Sequence, residues 1–142
     1  MAAPSSNSSP AEPSSPAFIL DSLETLRREY PYVYDRMCAA LAPRSLRLTI
    51  DGQSLPLRFE PGRHLSPDQL PEPDVRLATS RQTILEVIDA RYSLEQAVDL
   101  GLIDLAGTTT DLSAFHDALL MYVRGAVRCP SFPALLERYR RS

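Results

Sequence analysis

The sequence predicts a single α+β domain, on three observations. Between Ser45 and Glu60 apolar and polar residues alternate in two runs separated by Asp51-Gly52, the mark of a β-hairpin. On both sides of the hairpin, apolar residues recur at the three-to-four spacing of amphipathic helices. The chain's 142 residues, 44% hydrophobic and 23% charged, suffice for one core that stands without disulfides or a structural metal.

The elements follow in order. Residues 1–16 are almost wholly Ser, Pro and Ala, too poor in apolar surface to offset their ordering entropy, and are expected to form a disordered tail before a domain over 17–142. Phe18, Leu23, Leu26 and Tyr30 mark a helix that Pro31 interrupts, and Val33, Met37, Ala40 and Leu41 mark a second that closes before Pro43. Leu46, Leu48 and Ile50, then Leu55, Leu57 and Phe59, define two half-buried strands joined by a connection of two to four residues. Pro56 lacks an N–H, which points to an edge position or the strand start. The stretch from Pro61 to Asp74, with Pro61, Gly62, Pro67, Pro71 and Pro73, reads as a long loop that carries His64 at the surface.

Val75 and Leu77 resume the alternation for a third strand. Thr79 with Gln82 has the form of a capping box ahead of Ile84, Leu85, Val87 and Ile88. Ser93 with Gln96 repeats it before Leu94, Ala97 and Val98, and Gly101 suits the left-handed residue that closes such a helix. Leu102, Ile103 and Leu105 form a short strand ending at Gly107. Asp111 is the expected N-cap of the longest helix, whose apolar stripe of Leu112, Phe115, Leu119, Tyr122, Val123 and Ala126 is widened by Leu120 and Met121. So broad a stripe must be buried on more than one side or line an internal space. Pro130 and Pro133 frame a last helix with Phe132, Leu135, Leu136 and Tyr139 inward. Its closing Arg138, Arg140 and Arg141 favour the negative end of the helix and are expected on a solvated face.

Composition removes several function classes. A net charge of −3 offers no electrostatic footprint for nucleic acid. No apolar run approaches the ~18 residues of a membrane-spanning helix, and the N-terminus lacks the basic start and apolar core of a secretory signal, so a cytoplasmic location is expected. Cys38 and Cys129 stand far apart without metal-ligand spacing and are expected as buried apolar filler, with no metal site and no cofactor. Enzymes need convergent polar groups, yet the chain has two His, no Trp and five Gly, and no nucleophile elbow, zinc-protease or phosphate-loop motif. His116, four residues from both Leu112 and Leu120, reads as a hydrogen-bonded histidine at the border of the stripe rather than a base. Asp99, Asp104, Asp111 and Asp117 are accounted for by capping and solvation, and Asp89 and Arg91 by a surface turn. No nucleophile stands out, and no catalytic residue is expected.

The residues from Ser45 to Ser142 resemble the sterol carrier protein 2 domain family, most clearly over 45–126. The resemblance runs through Pro73-Asp74-Val75-Arg76-Leu77-Ala78-Thr79-Ser80, Ile84-Leu85-Glu86-Val87-Ile88, Ser93-Leu94-Glu95-Gln96-Ala97 and Gly101-Leu102-Ile103-Asp104-Leu105-Ala106-Gly107. The chain departs from the family at Ala90, where Gly is usual in the turn between two helices, and at Gly107-Thr108-Thr109-Thr110-Asp111, where Gly-Asp is usual. The peroxisomal tail of some members does not match the ending Arg140-Arg141-Ser142. The resemblance implies a sheet of about five strands covered by helices, enclosing an apolar cavity for a sterol, fatty acyl chain or isoprenoid-type lipid, without catalysis. The expected lining is Ile84, Leu85, Ile88, Leu102, Phe115, Leu119, Tyr122, Phe132 and Leu136. The alternative is an accessory module for a partner enzyme of lipid- or polyketide-type biosynthesis, its apolar C-terminal helices facing protein instead of ligand.

Overall fold

The computed structural model describes residues 14–70 and 72–142. Residues 1–13 of the expected tail lie outside the described residues, whereas Ser15 and Pro16, assigned to it above, are helical. Ser14 caps α1 (Ser15–Glu29), its hydroxyl accepting from the Ala17 N–H at 3.2 Å, and Pro16 sits in the first turn, where a missing N–H costs nothing. Pro31 starts α2 (Pro31–Leu41) in the same way after the single residue Tyr30.

β1 (Ser45–Ile50) and β2 (Gln53–Glu60) pair antiparallel with Ile50 opposite Gln53, so the turn is the two residues Asp51 and Gly52. Both have the positive φ, 50° and 81°, that a tight hairpin turn demands. Pro56 faces Arg47 in a pair whose N–H points away from β1, beyond the end of β3 (Arg63–Leu65). That is an edge position, as expected, and Ser66 donates to the Pro56 carbonyl there at 3.0 Å. β3 itself corrects the loop reading: Pro61 and Pro67 flank three pairing residues rather than fall among them.

β4 (Val75–Thr79) lies parallel to β1, and β5 (Asp104–Gly107) antiparallel to β4, which completes a five-stranded sheet of order β3-β2-β1-β4-β5. Helix α3 (Arg81–Ile88) is capped by Ser80, not Thr79. Thr79 is still in the strand and donates to the Leu102 carbonyl at 2.9 Å, while the Ser80 hydroxyl accepts from the Thr83 N–H at 3.1 Å. α4 (Leu94–Asp99) has the expected capping box of Ser93 and Gln96, and Gly101 closes it at φ 77°. α5 (Thr109–Ala126) starts earlier than expected because Thr108 caps it, accepting from the Asp111 N–H at 3.1 Å. The Asp111 carboxylate is thereby free to meet Arg44 at 2.7 Å, and that guanidinium holds its carboxyl below the usual range. α6 (Phe132–Arg141) ends the chain.

Alternation places Leu46, Leu48, Leu55, Leu57, Phe59, Val75, Leu77 and Leu105 on one face, and the helices cover it. α2 and α5 run antiparallel beneath this layer. Arg44, just past the end of α2, meets the start of α5, while Gly125 near the end of α5 lies against Val33 near the start of α2. Arg47, Arg58 and Arg76 point from the opposite face. The connection from β3 to β4 passes over that face, where Arg47 donates to the Leu70 carbonyl at 2.6 Å.

Candidate ligand-binding site

The interior has two apolar clusters. The main one joins the sheet to α1, α2 and α5 through residues such as Leu26, Tyr34, Met37, Leu57, Val75 and Phe115. The second, Phe18, Leu135 and Tyr139, joins the start of α1 to α6, with Ile84 and Leu85 of α3 resting on it. Ile19 and Phe132 touch both, so the seam between the clusters runs past them.

The residues of the expected lining are divided between the two clusters. Phe115 is buried in the main cluster, Leu119 and Tyr122 are half-buried against it, and Phe132 bridges to the second cluster, where Ile84, Leu85 and Leu136 are half-buried. Leu102 is half-buried but belongs to neither cluster, and Ile88 is 38% exposed on the outer side of α3. Tyr122 is the informative member. Phe115, Ala118, Tyr122 and Ala126 share one face of α5 at helical spacing, and the other three are sealed at 6%, 1% and 3% exposure. Tyr122, in the middle, keeps accessible surface although burial pushes its phenol up.

Helix α1 supplies the polar groups of the seam, and none of them was singled out from the sequence. Ser22, 1% exposed, donates to the Ile19 carbonyl at 2.7 Å and lies 2.5 Å from the Tyr122 hydroxyl. Ser15, one heptad earlier on the same face, lies 2.6 Å from the Tyr139 hydroxyl, and Phe18 stacks on that ring with centroids 4.1 Å apart. A Ser-x6-Ser spacing was the available signal; its tyrosine partners are 100 and 124 residues away and leave none. Arg81 ties α3 to α6. Its guanidinium donates to the Tyr139 and Arg140 carbonyls at 2.6 and 2.8 Å, satisfying acceptors that the helix end leaves open. Arg140, on the solvated face expected for it, in turn pairs with Asp89.

The histidines and cysteines have other neighbours. His64, expected at the surface, is opposite Phe59 in the β2–β3 register and so points under the helices, its Nδ1 2.7 Å from the Tyr34 hydroxyl. Burial pushes its pKa down, against the pull of Glu24 and with the push of Arg27. His116 is half-buried at the border of the α5 stripe, but Asp117, 4.0 Å away, is too far to supply the hydrogen bond expected of it. Cys38 and Cys129 are free and buried, and burial raises both thiols. Among the described residues no three His, Cys, Asp or Glu side chains converge as a metal site, and no helix is long and apolar enough to cross a membrane.

No protein-family model matches the chain, and no curated protein matches it in sequence. Solved structures do match in shape. A ubiquinone synthesis protein, UbiJ-SCP2, superposes with a TM-score of 0.56 at 19% identity over 75% of this chain and 94% of its own. A conserved hypothetical protein of Thermus thermophilus, described as a possible sterol carrier protein, gives 0.54 at 22% identity over 91% and 99%. A crystal structure of sterol carrier protein 2 gives 0.54 at 20% identity over 80% and 95%. Five strands in mixed pairing with helices on one face, superposing on three such proteins over most of their length, make this a chain with the sterol carrier protein 2 fold.

Proposed function

We propose that the chain holds an apolar small molecule, a sterol, fatty acyl chain or isoprenoid-type lipid, along the seam between its two clusters, without catalysing a reaction on it. The observation that carries this reading is Tyr122, accessible in the middle of an otherwise sealed helix face. The half-buried Leu119 and Phe132 of the main cluster, with Ile84, Leu85 and Leu136 of the second, would give the apolar walls such a site needs. Leu102 and Ile88, proposed with them, would lie at its rim.

Burial of roughly 300 Å² of lipid would contribute about 7 kcal/mol at ~25 cal/mol per Å². Association costs of about 4 kcal/mol or more come off that figure, leaving about 3 kcal/mol or less, which is weak, millimolar-range binding. Such affinity suits a carrier that must release its cargo. Native mass spectrometry of protein purified from its own source tests the reading. One lipid-sized adduct per chain is expected, and a bare 15.8 kDa mass that also fails to take up added sterol or acyl lipid would contradict it.

A second reading, an accessory module for a biosynthetic enzyme, is favoured by a different surface. Leu120, Val123 and Val127 are 36%, 47% and 65% exposed along the outer side of α5, an apolar stripe turned away from the seam. The name of the UbiJ-SCP2 neighbour points the same way. A monomeric mass on gel filtration together with saturable lipid binding would speak against it.

A further inference from the structure

We infer a second ligand site on the open face of the sheet, a cavity at Arg47 that takes a phosphate monoester carrying hydroxyl groups, of the sugar-phosphate class. It is independent of the cargo-holding reading, because the sheet stands between the two places. The cavity has a volume of about 450 Å³, within the range of small-molecule pockets, and is lined by Arg47, Asp68, Gln69 and Leu70. Arg47 reaches it from β1, and the other three belong to the connection between β3 and β4. The 2.6 Å bond from Arg47 to the Leu70 carbonyl holds the two sides together.

Charge selects the phosphate. Arg47 lies beside Arg76 in the parallel register of β1 and β4, about 5 Å away on the same face of the sheet. Arg58 stands diagonally across from it on β2, opposite Ser45. Beside these arginines the face carries the small side chains of Thr49, Pro56, Ala78 and Ala106, which leave the guanidinium groups uncovered. Glu72 takes the charge of Arg76, but among the described residues no ion pair engages Arg47 or Arg58. A buried side-chain nitrogen without a partner occurs among those residues at Arg81 alone, so the Arg47 donors that the Leu70 carbonyl does not take stay accessible. Like charges on neighbouring strands repel, and an oxyanion between them turns repulsion into attraction through the guanidinium fork. Two positive charges without a partner match a phosphate monoester, at about −1.5 to −2 near neutral pH, better than a single carboxylate. Asp68 and Gln69 select what the phosphate is attached to. The Asp68 carboxylate lines the cavity without pairing with Arg47, so it opposes a bare anion but accepts from hydroxyl groups, and the Gln69 amide both donates and accepts.

Calorimetric titration of the full chain with glucose 6-phosphate, glycerol 3-phosphate, glucose and inorganic phosphate, in low-salt buffer at neutral pH, tests this. Both esters are expected to bind saturably, about tenfold more tightly than inorganic phosphate, and glucose not at all. Arg47→Met should weaken the esters about tenfold or more, and Arg47→Lys, which keeps the charge and a donor for the Leu70 carbonyl but loses the fork, by a smaller factor. Arg138→Met, which removes an exposed charge on α6, should change nothing. Asp68→Asn should narrow the gap between the esters and inorganic phosphate. Absence of saturable binding by either ester, or binding that both Arg47 variants leave intact or that Arg138→Met weakens as much, overturns the site. Esters no tighter than inorganic phosphate, or a gap that Asp68→Asn leaves as wide, overturn the sugar-phosphate assignment.

Discussion

Ala90 shows how a single position can carry a fold's signature and its strain together. The Ala90 N–H bonds the Val87 carbonyl at 3.0 Å and the Arg91 N–H bonds the Glu86 carbonyl at 2.9 Å, the paired bonds of a Schellman end to α3. The closing residue of that motif takes positive φ, and Ala90 sits at 63° with a Cβ that resists it. Gly101 closes α4 by the same pair of bonds without the penalty. Ala90→Gly is therefore expected to stabilise the chain by about 1 kcal/mol in urea unfolding; an unchanged or lowered midpoint would mean that the turn is not strained. His64 yields a second expectation at this scale. Burial keeps it neutral in the fold, so the unfolded chain binds the proton more readily. The stability it contributes is whole above the ordinary value of 6.5 and is lost as pH falls from there through the lowered folded value, below which the loss stops. Unfolding midpoints measured from pH 7.5 to 5 should show this decline, and His64→Gln should flatten it. The departure at Ala90 was visible in the sequence, as was its place in a turn. The burial of His64 was not, because it depends on pairing at the sheet's edge and on a helix many positions away.

At the scale of elements, periodicity made most of the architecture legible: both N-terminal helices, the hairpin, the capping box of Ser93 and the long C-terminal helix follow from local pattern. The misses share a cause. Thr79 and Asp111 have the right chemistry for caps, but each is claimed by a long-range partner, Leu102 in one case and Arg44 in the other, so a neighbour caps instead. β3 was hidden by the prolines that flank it. Helix packing was likewise illegible, and Gly125 illustrates it. A Cβ there would come within 2.7 Å of Leu26 Cδ1 and 2.8 Å of Val33 Cγ1, so α5 approaches α1 and α2 at a distance that only glycine allows. Val33 is branched at Cβ and cannot easily turn aside. Gly125→Ala should cost about 1 to 2 kcal/mol, overpacking outweighing the better helix propensity of alanine. A stabilised variant, read by the same urea unfolding, would show that the three helices can part freely.

For the whole molecule, the ordering of elements and the superposition on sterol carrier protein 2 structures establish the fold, and the junction of the two apolar clusters at Ile19 and Phe132 is where we propose that a ligand lies. The sequence marked α5 for burial on more than one side or for lining an internal space, because its apolar stripe is too broad for one contact. It could not point to α1, whose Ser15, Phe18, Ile19 and Ser22 enter the seam through partners at the other end of the chain. Ile88 and Leu102 were grouped with the lining by apolar character alone, and the orientation of α3 and the entry to β5 leave them outside both clusters. Methyl-resolved NMR of the labelled chain during a titration with 1-hexadecanol tests the central claim most directly. Saturable shifts at Ile84, Leu119 and Leu136 and at the Tyr122 ring, with Leu70 on the opposite face of the sheet unmoved, are the predicted result. Shifts that are absent, that never saturate, or that map to the exposed Val123 and Val127 instead would contradict it.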